Sequence, residues 1–95
     1  MEKQKRIEIE SEVLQRLIKH FRKRTDVQNI DLMNLSGFCR NCLSKWYVEA
    51  ANKRNLQIDY NEARKLIYGM PYEDWKKKFQ KAATKEQLQK FENKD

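Results

Sequence analysis

The segment whose residue types could most directly do chemistry is Cys39-Arg40-Asn41-Cys42. Two thiolates at this spacing can share one soft metal ion, and His20 is the only imidazole available to join them. Structural zinc sites take four ligands, so a zinc or other transition-metal ion here needs Asp26, Asp31 or a second subunit to complete the set. The competing reading places Cys39 and Cys42 on one helical stripe with Leu35, Leu43 and Trp46, where reduced cysteine packs as a small hydrophobe. A thioredoxin-like exchange pair calls for a preceding strand, and no stretch of this chain alternates with period two. His20, between Lys19 and Phe21, is a ligand only if the cysteines are.

A second block, Asp26-Val27-Gln28-Asn29-Ile30-Asp31-Leu32-Met33-Asn34, sets two carboxylates and three amides side by side. On one long helix Asp31, Asn34, Asn41 and Lys45 share a side, with Arg40 near its edge. The candidate binding set is therefore Asp26, Gln28, Asn29, Asp31, Asn34, Arg40 and Asn41, suited to a polar ligand, a divalent cation or a partner's backbone. Capping and bracing of a helix junction is the alternative use of such residues. Asp26 and Asp31 could form an acid–base pair, but no nucleophile or oxyanion site accompanies them. No catalytic residue is expected.

Charge is the third signal. The 95 residues carry 21 Lys+Arg against 14 Asp+Glu, a net +7. Basic clusters fall at Arg22-Lys23-Arg24 and at Lys76-Lys77-Lys78 with Lys81, and would hold nucleic acid electrostatically. Lysine dominates over arginine, acids are interspersed and no recognition-helix motif is visible, which favours a solvated face. No apolar run reaches the ~20 residues of a membrane helix. The charged N-terminus lacks a secretory signal core, and two cysteines are too few for a disulfide framework. The expectation is a cytoplasmic, reduced protein with no membrane partner.

The elements that must position these groups are helical. Ile7, Leu14, Leu17, Ile18 and Phe21 recur at helical spacing and predict a helix over 5–24. Asp26 reads as the cap of the next helix. From Ile30 to Ala50 the steps continue, interrupted only by Gly37, and predict one long central helix over 29–53; two helices with Gly37 as a C-cap is the alternative. Asp59 with Glu62 forms a capping box for a helix ending at Gly69, Pro71 opens another over 71–82, and Thr84 with Gln87 caps a last one. The sum is one all-α domain over 1–95, four to five helices around a long central one, with frayed ends at 1–6 and 92–95. Trp46, Tyr47, Tyr68, Tyr72, Trp75 and Phe79 pack the central helix against the C-terminal ones, and an exposed subset would mark a homodimer interface.

Two motifs, Arg24-Thr25-Asp26-Val27-Gln28-Asn29-Ile30-Asp31-Leu32-Met33-Asn34-Leu35 through Gly37-Phe38-Cys39-Arg40-Asn41-Cys42-Leu43 to Trp46-Tyr47, and Tyr68-Gly69-Met70-Pro71-Tyr72 to Trp75-Lys76, resemble a family of short proteobacterial proteins classed as a domain of unknown function, DUF1244. The resemblance spans roughly residues 12–90 and implies a small all-helical fold, with no catalytic assignment to carry over. It directs attention to His20, the cysteines and the Asp/Asn block. The leading expectation is a non-enzymatic module that binds a protein partner through that block, ahead of a metal-binding protein and a basic nucleic-acid-associated one.

Overall fold

In the computed structural model, which describes residues 1–93, six helices follow one another with no strand among the described residues. They are α1 (Lys3–Lys23), α2 (Asn29–Ser36), α3 (Arg40–Asn52), α4 (Tyr60–Tyr68), α5 (Tyr72–Phe79) and α6 (Lys85–Glu92). None is long and apolar enough to cross a membrane among the described residues. Helix α1 begins at Lys3; the expected fraying over 92–95 falls partly on 94–95, outside the described residues.

The long central helix is corrected to two. Gly37 adopts φ +79° and its N–H closes on the Met33 carbonyl, ending α2, while Cys39 is extended and becomes the N-cap of α3. A left-handed residue reverses the chain, so the stripe expected to run from Leu32 to Ala50 splits. Leu35 ends up 85% exposed instead of in the core. The next helix is capped by Gln28, not Asp26. Asp59 caps α4 by accepting from the Asn61 N–H, and the Thr84–Gln87 box closes reciprocally at 3.1 and 2.8 Å. Gly69, at φ +78°, stops α4 as its sequence position predicts.

The apolar core is small and aromatic. Ile18, Ile67, Tyr68 and Trp75 are buried together, with Leu43, Met70, Tyr72 and Phe79 packed around them. Tyr68 meets Tyr72 and Trp75 edge-on at 5.3 and 5.1 Å between centroids, the arrangement that aligns ring edge with ring face. Helices α3 and α4 make the most extensive pairing among the described residues. Ser44, Ala51 and Ala63 are all buried there, and small side chains let two helix backbones approach closely. Trp46 and Tyr47 depart from the expected packing and stay 51% and 40% exposed.

Helix ends are closed from a distance. Arg22 of α1 donates to the carbonyls of Leu66 and Ile67, the last turn of α4. Its Cδ lies 2.8 Å from where a Cβ on Gly69 would stand, whereas nothing lies within 4 Å of a Cβ on Gly37. Gly37→Ala is therefore expected to cost only the left-handed backbone term, about 1–2 kcal/mol. Gly69→Ala is expected to cost more, because it also displaces Arg22. Chemical denaturation of both variants measures the order, and equal losses would contradict it.

Candidate functional site

Arg40 begins α3 and is 1% exposed. Its guanidinium donates to Val27 O at 2.8 Å, Asn29 Oδ1 at 3.1 Å, Phe21 O at 3.2 Å and Arg24 O at 2.9 Å. The group also sits 4.9 Å from the Trp75 ring centroid and 5.6 Å from that of Phe21. Every acceptor is a carbonyl or amide oxygen; no carboxylate takes part. Two of them, Phe21 O and Arg24 O, belong to the C-terminal end of α1, where free carbonyls concentrate negative potential. The charge is thus solvated by a helix end and two aromatic faces. Burial lowers its pKa, but a guanidinium remains protonated across the working range.

The amides of the polar block are engaged in the same way, apart from the buried Asn34 Oδ1, which has no hydrogen-bond partner among the described residues. Gln28, 8% exposed, donates from Nε2 to Phe79 O and accepts at Oε1 from the Lys81 N–H, both at 2.9 Å. Asp31 Oδ2 accepts from the Gln28 N–H at 3.0 Å, and its Oδ1 accepts from Gln87 Nε2 at 2.8 Å. Asn34 Nδ2 donates to Gln87 O at 3.0 Å. Asn29 Nδ2 donates to the Tyr68 hydroxyl at 3.0 Å, which in turn donates to Asn41 Oδ1 at 2.7 Å. Of the seven candidate residues only Asp26 is exposed, where it pairs with Arg24 at 2.9 and 3.0 Å and that contact lowers its pKa. The shared side expected of Asp31, Asn34, Asn41 and Lys45 does not survive the break at Gly37, but Gln28, Asn29, Asp31, Asn34, Arg40 and Asn41 are brought together as an internal clamp.

The cysteines occupy the first turn of α3, with Sγ atoms 3.9 Å apart. Both thiols are free; Cys39 is buried and Cys42 half-buried. Burial pushes the Cys39 thiol up, against the opposing pull of the Cys42 and Asn41 backbone N–H groups. Among the described residues no three His, Cys, Asp or Glu side chains converge, so neither His20, which is exposed, nor Asp26 nor Asp31 completes the pair. The sulfur beside Cys42 is instead that of Met33, 3.9 Å away. The one feature of the sequence that points to Met33 is its position one turn before the Gly37 break.

A family model described as "Protein of unknown function (DUF1244)" matches residues 27–93. The chain belongs to that family. The DUF1244 match contains the clamp, both cysteines and Met33, and begins after α1 and His20. No curated protein matches the chain.

Two variants test the clamp. Arg40→Met removes the side-chain donors to Phe21 O, Arg24 O, Val27 O and Asn29 Oδ1 and is expected to cost about 3–5 kcal/mol, the scale of breaking a buried charged network. Arg54→Met, which removes one exposed bond to Ala50 O, is expected to stay within about 0.5 kcal/mol. Denaturation followed by helical circular dichroism reads both, and similar losses would contradict the assignment. Tyr68 supplies the pH signature. Burial raises its phenol pKa above the ordinary 10.0. The neutral phenol is the form the fold prefers, so its stabilisation is complete below that value and lost as pH rises through the folded one. Tyr68→Phe is expected to cost about 1–3 kcal/mol at neutral pH, by unpairing Asn29 and Asn41, and to flatten the alkaline fall in stability.

Proposed function

We propose that the chain is a non-enzymatic helical interaction module whose docking surface is apolar, and that the partner seated on it is a second copy of the chain. The two carboxylates considered as an acid–base pair are engaged elsewhere, Asp31 at both oxygens and Asp26 with Arg24. Large apolar residues, by contrast, stay exposed on α1 and beside α3.

The observation that carries the reading is the exposed length of α1. A helix of 21 residues spans about 31 Å. Only Ile18 on it is buried, while Ile7, Leu14 and Leu17 on the same stripe stay exposed. An isolated helix of such length is marginal in water, because its stability ordinarily comes from packing an apolar face. A second apolar surface lies on the same chain, a groove lined by Tyr47, Ala50, Leu56 and Ile58 with Arg54 at its rim.

The two surfaces suit each other. The exposed stretch of α1 bears Glu8 and Glu12, with Glu10 paired to Arg6, and the groove is lined in part by Arg54, to which a free carboxylate of a second copy could pair. A chain carrying both a protruding stripe and a receiving groove can pair reciprocally about a two-fold axis, each copy supplying what the other needs. Area supports the scale. A compact monomer of 11.6 kDa presents about 5,800 Å². This chain presents 7673 Å². The excess is ample for the roughly 800 Å² per partner of a standard interface.

Light scattering on a dilution series, coupled to gel filtration, tests the proposal. The parent is expected to be a dimer. Leu14→Glu on the stripe and Ala50→Arg in the groove are each expected to give monomers of unchanged helix content. A parent that is monomeric throughout, or variants that remain dimers, would overturn it.

A further inference from the structure

The sulfur cluster at the α2–α3 junction goes beyond docking. We propose that Cys39, Cys42 and Met33 form a three-coordinate site for monovalent copper.

Three observations converge on it. Two edges of the sulfur triangle, Cys39 Sγ to Cys42 Sγ and Cys42 Sγ to Met33 Sδ, are each 3.9 Å. An ion bonded to three sulfurs at about 2.3 Å in a plane needs edges close to about 4 Å. The donor set then selects the ion. With no imidazole or carboxylate joining the pair among the described residues, zinc lacks its usual third and fourth ligands, whereas thiolate and thioether together are the soft set that holds Cu+. Third, the charge is provided for. Two thiolates and a neutral thioether around Cu+ carry a net negative charge, and the two thiolates sit at the N-cap and in the first turn of the 13-residue helix α3, where backbone N–H groups are free of intrahelical partners. The next residue is Arg40, whose buried guanidinium has no carboxylate partner.

Geometry explains how the three meet. The Met33 carbonyl receives the Gly37 N–H, so the turn that ends α2 folds the chain back and lays the Cys39–Cys42 turn beside the Met33 side chain. Half-burial of Cys42 and Met33 leaves the ion a way in, and the buried Cys39 forms the floor. Loading is a plain exchange. Cu+ displaces one proton from each of two thiols, two protons are released, and copper keeps its oxidation state throughout.

The test is an anaerobic titration of the reduced chain with Cu+ supplied by a weak ligand, read by ultraviolet thiolate-to-copper absorption and by competition with a chromophoric Cu+ chelator. One Cu+ per chain is expected, with release of two protons, and Zn2+ is expected to compete poorly. Met33→Leu preserves shape and folding, and is expected to weaken Cu+ binding at least about tenfold. Cys42→Ser is expected to abolish stoichiometric binding, with helical circular dichroism checking that the variant is folded. No stoichiometric Cu+, or a Met33→Leu variant that binds as tightly as the parent, would overturn the three-sulfur site. The readout is independent of association state, so a monomeric parent leaves it intact.

Discussion

A single buried positive charge with no acid opposite it sets the terms for the rest of this fold. The Arg40 guanidinium is 1% exposed and is solvated by four oxygens from α1, the α1–α2 loop and α2. Removing a charge from water is costly unless its donors are met, and here they are met by carbonyls at and just beyond a helix end and by one side-chain amide. One side chain therefore fixes where α1 stops, where α2 starts and how α3 lies against both. Trp75 and Phe21 fill the space on its faces, which couples the clamp to the aromatic core.

The same economy recurs around the molecule. Arg22 closes α4, Gln28 holds the end of α5, and Asp31 and Asn34 hold α6 through Gln87. A chain with so small a buried core gains specificity from these long-range polar ties, because each fails if its helix shifts along its axis. The residues that look most like a ligand site in sequence are those that hold the helices in register. The exposed apolar residues that this network does not cover lie on α1 and beside α3.

Helix identity, the Gly69 stop and the Thr84 cap were legible because each depends on neighbours in sequence. The split at Gly37 was harder. An interior glycine costs only about 1 kcal/mol, so periodicity on both sides argued for continuity, and only the left-handed φ decided otherwise. The buried face of α3 was invisible to hydrophobic spacing, since it consists of Arg40, Ser44 and Ala51. Asp26, Gln28 and Asn34 could be named as polar and clustered, but whether an amide faces a ligand or a distant carbonyl depends on contacts some fifty residues away, such as Gln28 with Phe79. The cysteine pair was visible, and its third sulfur was not.

The most direct test of the central claim is nitrogen-15 NMR of the arginine side chains. A guanidinium clamped by four acceptors cannot rotate freely about its terminal bonds, and its N–H protons are shielded from water. Arg40 is expected to give separate, slowly exchanging Nη resonances at neutral pH, while exposed Arg6 and Arg54 give averaged, fast-exchanging ones. An Arg40 signal that averages and exchanges like those of Arg6 and Arg54 would contradict the account.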